Sequence, residues 1–310
     1  MSGRLSNIRT ATALVTPFVG GRVDRTELNA ALDRQVNAGM DAVVVCDVIG
    51  EGYALSDDER DLAISTCVER ADGRLAVIAA TGTYGTERSI TLTARVQQLG
   101  VDGLLVTVPY YSKPTRAGVA AHFRSIAEVT HLPIIIDDEP HRTAIEAGSA
   151  LLFALMDVFN IVGIRHGAGR LGVFSHLEPV LRRRYHHYCG DDIDLPAFIA
   201  CGGHGVISSF GNLFPSRQVA VGRSVPGAVE QWQQDIASIL SATGNLWGAA
   251  VIKAACAALH GGSCAVRLPL VEVDQDMAQA LGLVMPRLAT SVKKGREAAV
   301  ALNGSPAAQF

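Results

Sequence analysis

Eight short runs, rich in β-branched residues and apolar without alternation, recur along the first two thirds of the chain: Ala11–Phe18, Ala42–Asp47, Leu75–Thr81, Gly103–Pro109, Pro133–Asp137, Ile161–Arg165, His186–Gly190 and Gly205–Ser209. Strands that are apolar at successive positions suit a parallel sheet covered on both faces. Between the runs lie segments of helical spacing and crossover length, among them Thr26–Ala38, Asp57–Arg70, Thr86–Leu99, Arg116–Thr130 and Leu171–Arg183. One of these opens on a capping box, Ser56 to Glu59. Eight β/α units in an unbroken series predict an α/β fold of the (β/α)8 TIM-barrel type. After the eighth run the pattern is helical only, over Gly227–Ser241, Leu246–His260 and Asp274–Leu302. The expected organisation is a barrel over residues 1–225 and a C-terminal α-helical extension over 226–310, packed together as one unit, with Gly304–Phe310 frayed.

A chain of 310 residues that is 48% hydrophobic and 18% charged can bury a large core, which excludes fibrous and disordered classes. The formal net charge of −3 leaves no basic footprint for nucleic acid or anionic membrane, and the run Arg182–Arg184 is short enough to be a helix end. The six cysteines form no CxxC pair, and four lie inside apolar runs, so reduced thiols in a cytoplasmic setting are expected rather than disulfides or a structural zinc site. The opening MSGRLSNIRT has no apolar signal core, and no uncharged stretch reaches the roughly 18 to 20 residues of a membrane span, so a soluble protein is expected. The loop Gly202–Gly205 is glycine-rich but is not a GxGxxG turn opening a helix, so no nucleotide or other cofactor is expected.

In such a barrel, function sits at the carboxyl ends of the strands. Polar residues gather there: Asp47 and Glu51, Tyr110 and Tyr111, Asp137, Asp138, Glu139 and Arg142, Arg165 and His166, Asp191 and Asp192, Ser208 and Ser209. His186 and His187 begin their run, at the barrel's stable end, and read as structural, as does the loop residue His204.

Eight landmarks in order, ALVTPF at Ala13–Phe18, GEGYALS at Gly50–Ser56, TVPYYSKPT at Thr107–Thr115, LPIII…P.RT at Leu132–Thr143, NIVGI…G.L at Asn160–Leu171, GDD at Gly190–Asp192, GGHGVIS at Gly202–Ser208 and VRLPLV at Val266–Val271, span almost the whole chain. In these the chain resembles the dihydrodipicolinate synthase and N-acetylneuraminate lyase family. The resemblance implies a barrel with a helical extension, commonly a homotetramer, acting on pyruvate or related 2-oxo acids as a lyase. It also implies a substrate-binding set at Arg142, Glu51, Ile49, Gly190 and Ile207, and a tyrosine, Tyr111, that serves a neighbouring subunit's pocket.

The chain departs from that pattern where the family does its chemistry. Where the family ends its sixth strand on an imine-forming lysine, this chain has Arg165, followed by His166. Imine formation needs a neutral amine, and a guanidinium stays protonated up to a pKa above about 12. The family's tyrosine at the end of the fifth strand is Asp137 here, and the two threonines before Gly50 are Val48 and Ile49. A lysine and a tyrosine that face each other have become an arginine and an aspartate, so Asp137 and Arg165 are expected to pair.

Three functional readings follow. One is a lyase-type enzyme on a 2-oxo acid or sugar acid without an imine, with Asp137, Arg165, Tyr111 and His166 as the catalytic set and Arg142 or Arg165 meeting a substrate carboxylate. A second is divalent-metal chemistry on Asp47, Glu51, Asp137 and Asp138 with Glu139. The third is a non-catalytic member that binds a small carboxylated metabolite or another protein. A homotetramer or dimer is expected, and a monomer would favour the third reading.

Overall fold

The computed structural model describes residues 4–303, so the expectation for Gly304–Phe310 lies outside the described residues. Eight parallel strands close into a barrel: β1 Thr10–Ala13, β2 Ala42–Val45, β3 Ala76–Ala80, β4 Gly103–Thr107, β5 Ile134–Asp138, β6 Ile161–His166, β7 His186–Cys189 and β8 Gly205–Ser208, with β8 paired back onto β1. The fold is a (β/α)8 TIM barrel, and each strand falls inside one of the apolar runs or extends it by a residue.

Two sets of buried side chains explain why those runs do not alternate. Ala11, Ala42, Val44, Ile78, Leu105, Ile135, Tyr188 and Ile207 fill the barrel's interior, closed from below by Leu5 and Ile8. Their neighbours Val43, Val45, Val77, Leu104, Val106, Ile134, Ile136 and Ile164 point the other way and pack under the helices. Both faces are dry, so both demand apolar residues, while successive side chains still point to opposite sides.

The crossover helices α1 Arg25–Ala38, α2 Asp57–Ala71, α3 Thr86–Gln97 and α4 Arg116–Glu128 lie where their spacing placed them. Asp24 caps α1, accepting from the backbone N–H groups of Thr26 and Glu27, and Ser56 and Glu59 form the capping box of α2. Two expectations are corrected. The first run leaves the barrel after Ala13, and Phe18–Val19 pairs instead with Arg22–Val23 in a small antiparallel hairpin, because Pro17 has no N–H to offer a ladder. The helix expected over Leu171–Arg183 is two, Leu171–Ser175 and Pro179–Arg184, since a proline disfavours helix at the residue before it and starts a new one readily.

Past the eighth strand come helices only, including Ala228–Ala242, Ala249–His260 and Gln275–Asn303. The extension returns to the barrel in two places: Lys253, within the helix Ala249–His260, ion-pairs with Glu51, and beyond that helix the Arg267 backbone N–H donates to Glu51 Oε2 at 2.8 Å while its guanidinium holds Glu59. Lys253 and Arg267 also flank the Phe18 ring, at 4.0 and 4.4 Å from its centroid. No helix among the described residues is long and apolar enough to cross a membrane.

Candidate active site

The register sets Asp137 of β5 directly opposite Arg165 of β6. Both follow interior residues by two positions, so both point into the barrel mouth. Arg165 is 3% exposed, and its guanidinium is shared among three carboxylates: Nε donates to Asp137 Oδ1 at 2.6 Å, Nη1 to Asp47 Oδ2 at 3.3 Å and Nη2 to Glu139 Oε1 at 3.4 Å. Thr107 Oγ1 donates to the second oxygen of Asp137 at 2.9 Å, and the backbone N–H groups of Ile49 and Gly50 donate to the second oxygen of Asp47. Gly190 makes the cage possible, because a Cβ there would lie 3.1 Å from Arg165 Cγ and 2.8 Å from the His166 carbonyl oxygen.

One buried positive charge faces three acids, and the acids do not all ionise easily. Burial pushes the Asp47 carboxyl above the usual carboxylate range against the pull of Arg165. Burial also raises Glu139 to about 7, again against Arg165, with Asp137 adding to the rise and Arg142 opposing it. Arg165 loses solvation too, yet Asp137, Glu139 and Asp47 together hold it protonated.

The cage divides the mouth. On one side is a cavity of about 280 Å³ lined by Arg165, Gly190, Asp192 and Ser209 of the barrel and by Asn245 and Trp247 of the extension. On the other is one of about 500 Å³ lined by Asp47, Thr107, Asp137 and the tyrosines Tyr53, Tyr84 and Tyr110. Val48, Glu139 and Arg142 line both. In the smaller cavity Asp192 Oδ2 accepts from Ser209 Oγ, which accepts in turn from Trp247 Nε1, while Trp232 Nε1 donates to the Asp192 carbonyl. Both tryptophans of the chain thus brace one strand end, and burial raises the Asp192 carboxyl to about 6.

The mouth brings together Asp137, Arg165, Arg142, Asp47, Ile49 and Gly190. The remaining expected residues go elsewhere, each for a stated reason. His166 and Asp138 each follow an inward residue by one position and so face the helices. His166 packs against Phe174, Phe198 and His187, while Asp138 accepts from the Ala147 N–H at 2.8 Å and faces Arg170. Glu51 is fully buried, with one oxygen held by Lys253 and the other accepting from the Arg267 N–H, and it lines neither cavity. Ile207 lies in the interior layer below the mouth. Tyr111 stands on the rim, 92% exposed, and lines neither cavity. Among the described residues no group of His, Cys, Asp and Glu is arranged to hold a metal ion, and the mouth carboxylates converge on Arg165 instead. Sequence reasoning underrated Glu139, weighed only as a metal ligand, and missed His141, Asn245 and Trp247. Their signal was weak: His141 and Glu139 flank a proline just past a strand end, whereas the extension residues reach the mouth only through packing.

The sequence profile of the dihydrodipicolinate synthetase family matches residues 6–286. This chain belongs to that family. Among curated relatives, a 4-hydroxy-tetrahydrodipicolinate synthase of Magnetococcus marinus is 39% identical over 204 residues, covering 66% of this chain and 70% of the relative. The dihydrodipicolinate synthetase family relative from Geotalea daltonii, also a 4-hydroxy-tetrahydrodipicolinate synthase, is 34% identical over 277 residues, covering 88% of this chain and 96% of its own. The crystal structure of a chloride-inhibited dihydrodipicolinate synthase from Acinetobacter baumannii complexed with pyruvate matches the fold with a TM-score of 0.85 at 26% identity, covering 91% of this chain and 99% of that one.

Proposed function

We propose that this member of the family is a lyase-type enzyme that works on a small 2-oxo acid or sugar acid by acid–base chemistry, without a lysine imine. The observation that carries the reading is the cage: where the resemblance calls for an imine-forming lysine, Arg165 is buried against three carboxylates. Among the described side chains no lysine lines either mouth cavity, and Lys253 is held by Glu51.

Arg142, at the boundary of both cavities and with no ion pair among the described residues, receives the substrate carboxylate in this reading. Glu139, rather than Asp137 or His166, is the proton carrier in this reading, because Asp137 has both oxygens bonded and His166 faces the helices. Its carboxylate removes a proton from the carbon beside the 2-oxo group, the electron pair passes to the carbonyl oxygen, and the enolate is stabilised by the fixed charges of Arg142 and Arg165. A raised pKa near neutrality suits a group that must both take and return a proton.

Two measurements on one protein test this. Borohydride added with pyruvate should leave no mass increase on any lysine, and the methyl protons of pyruvate in D2O should exchange faster than the buffer background by proton NMR. A stoichiometric adduct overturns the imine-free reading. The mutual neutralisation inside the cage favours a second reading, a non-catalytic carboxylate binder, and saturable pyruvate binding with exchange at background would select it.

A further inference from the structure

Glu139 is 9% exposed, and a group so enclosed turns over protons faster when a side chain carries them to bulk water. Its two oxygens have different neighbours. Oε1 faces Arg165 Nη2 at 3.4 Å, and Oε2 faces His141 Nε2 at 3.8 Å. His141 rides on the one-turn helix Pro140–Thr143 that begins immediately after Glu139, and 49% of its side chain is exposed, against 11% for Glu139. It therefore reaches the enclosed carboxyl on one side and solvent on the other, at a separation that one water or a small side-chain adjustment closes. Among the described residues it is the one histidine lining either cavity, while His166, His187 and His204 contact one another away from the mouth. Gly167 leaves the space that Glu139 occupies, since a Cβ there would sit 2.7 Å from Oε2.

We infer that His141 is the proton shuttle of this site, passing protons between the Glu139 carboxyl and bulk water. The inference rests on the reading of Glu139 as the proton carrier. In the forward direction Glu139 takes a proton from the substrate carbon, the Oε2 proton moves to neutral His141, and the imidazolium releases it to water. The reverse sequence delivers a solvent proton to the enolate carbon, so the net change is exchange of carbon-bound hydrogen with solvent and no co-reactant is consumed. The charged groups that face Glu139 are Arg165, Asp137, Arg142 and Asp47 besides His141, and all but His141 are retained in the variant that tests it.

The test follows pyruvate methyl exchange in D2O for wild type and His141→Ala, with and without added imidazole, beside the NMR chemical shifts of the histidine ring protons in wild type and Glu139→Gln at one fixed pH. In dilute buffer His141→Ala should exchange about tenfold more slowly, imidazole should restore most of the loss, and the His141 ring signals should move in Glu139→Gln. A loss that imidazole does not repair assigns His141 a merely structural part and overturns the shuttle, as does unchanged exchange in His141→Ala. His141 ring signals unmoved in Glu139→Gln overturn it as well, by showing that the two groups do not communicate. Wild type at the buffer background removes Glu139 as proton carrier and takes the shuttle with it, whatever the ring signals show, so the two failures are told apart.

Discussion

Arg165 faces Asp137, Asp47 and Glu139 at 2.6, 3.3 and 3.4 Å, so removing its charge strands an acidic cluster in a buried place. Arg165→Met should cost about 3 to 5 kcal/mol in chemical denaturation, and Arg165→Met combined with Asp137→Asn should recover part of that loss. Glu139 supplies a pH signature of its own. Its pKa rises from the ordinary 4.5 to about 7 on folding, so its contribution to stability is full below about pH 4.5 and is lost as the pH rises through about 7. Glu139→Gln should match wild type in acid and exceed it at pH 8 by roughly 3 kcal/mol, the equivalent of the shift, as denaturation midpoints at the two pH values would register. Equal differences at both pH values would contradict the raised pKa.

At the scale of elements, the alternation of β6 and β7 builds a histidine pair outside the barrel wall. The Leu181 carbonyl can only accept, so His187 Nε2 carries a proton, His187 Nδ1 accepts from His166 Nε2 at 2.9 Å, and His166 Nδ1 is left bare and without a partner. Burial holds His166 well below the usual histidine range and lowers His187 to about 4. For a base with a depressed folded pKa the unfolded chain binds protons first, so this stability is present above about 6.5 and is lost as the pH falls toward 4. His187→Asn should flatten the fall of thermal midpoint between pH 7 and 4.5. A second joint, between the extension and the barrel, depends on Lys253 and Glu51, which are 2% and 0% exposed. Lys253→Met should cost about 3 to 5 kcal/mol in chemical denaturation, and adding Glu51→Gln should return part of it. The alternation that takes His166 and Asp138 away from the mouth was already readable: residues next to each other on a strand cannot both face inward, so a site containing both Arg165 and His166 was self-contradictory.

For the whole molecule, the tyrosines at the mouth describe an unpaired edge. Tyr111 is 92% exposed, Tyr84 64% and Tyr53 51%, and Tyr110 meets Tyr84 edge-on at a centroid distance of 5.8 Å. Exposed aromatic rings at one end of the barrel suit a self-complementary contact. Light scattering at micromolar concentration should give a dimer or tetramer, and Tyr111→Glu should shift it toward monomer; a wild-type monomer would contradict this. The barrel itself could be read from the chain because dry strands on both faces and crossover-length helices are local patterns, repeated eight times. The identities at the strand ends could also be read, including the arginine where the resemblance calls for a lysine, and the pairing of Asp137 with Arg165 follows from adjacent strands in parallel register. The third and fourth members of the cage, the bracing of Asp192 by Trp232 and Trp247, and the capture of Glu51 by Lys253 join residues up to 202 positions apart in the chain. Such contacts leave no periodic trace in the sequence. They exist because barrel closure and the return of the C-terminal helices bring distant charges into one low-dielectric space, where each must find a partner or surrender its charge.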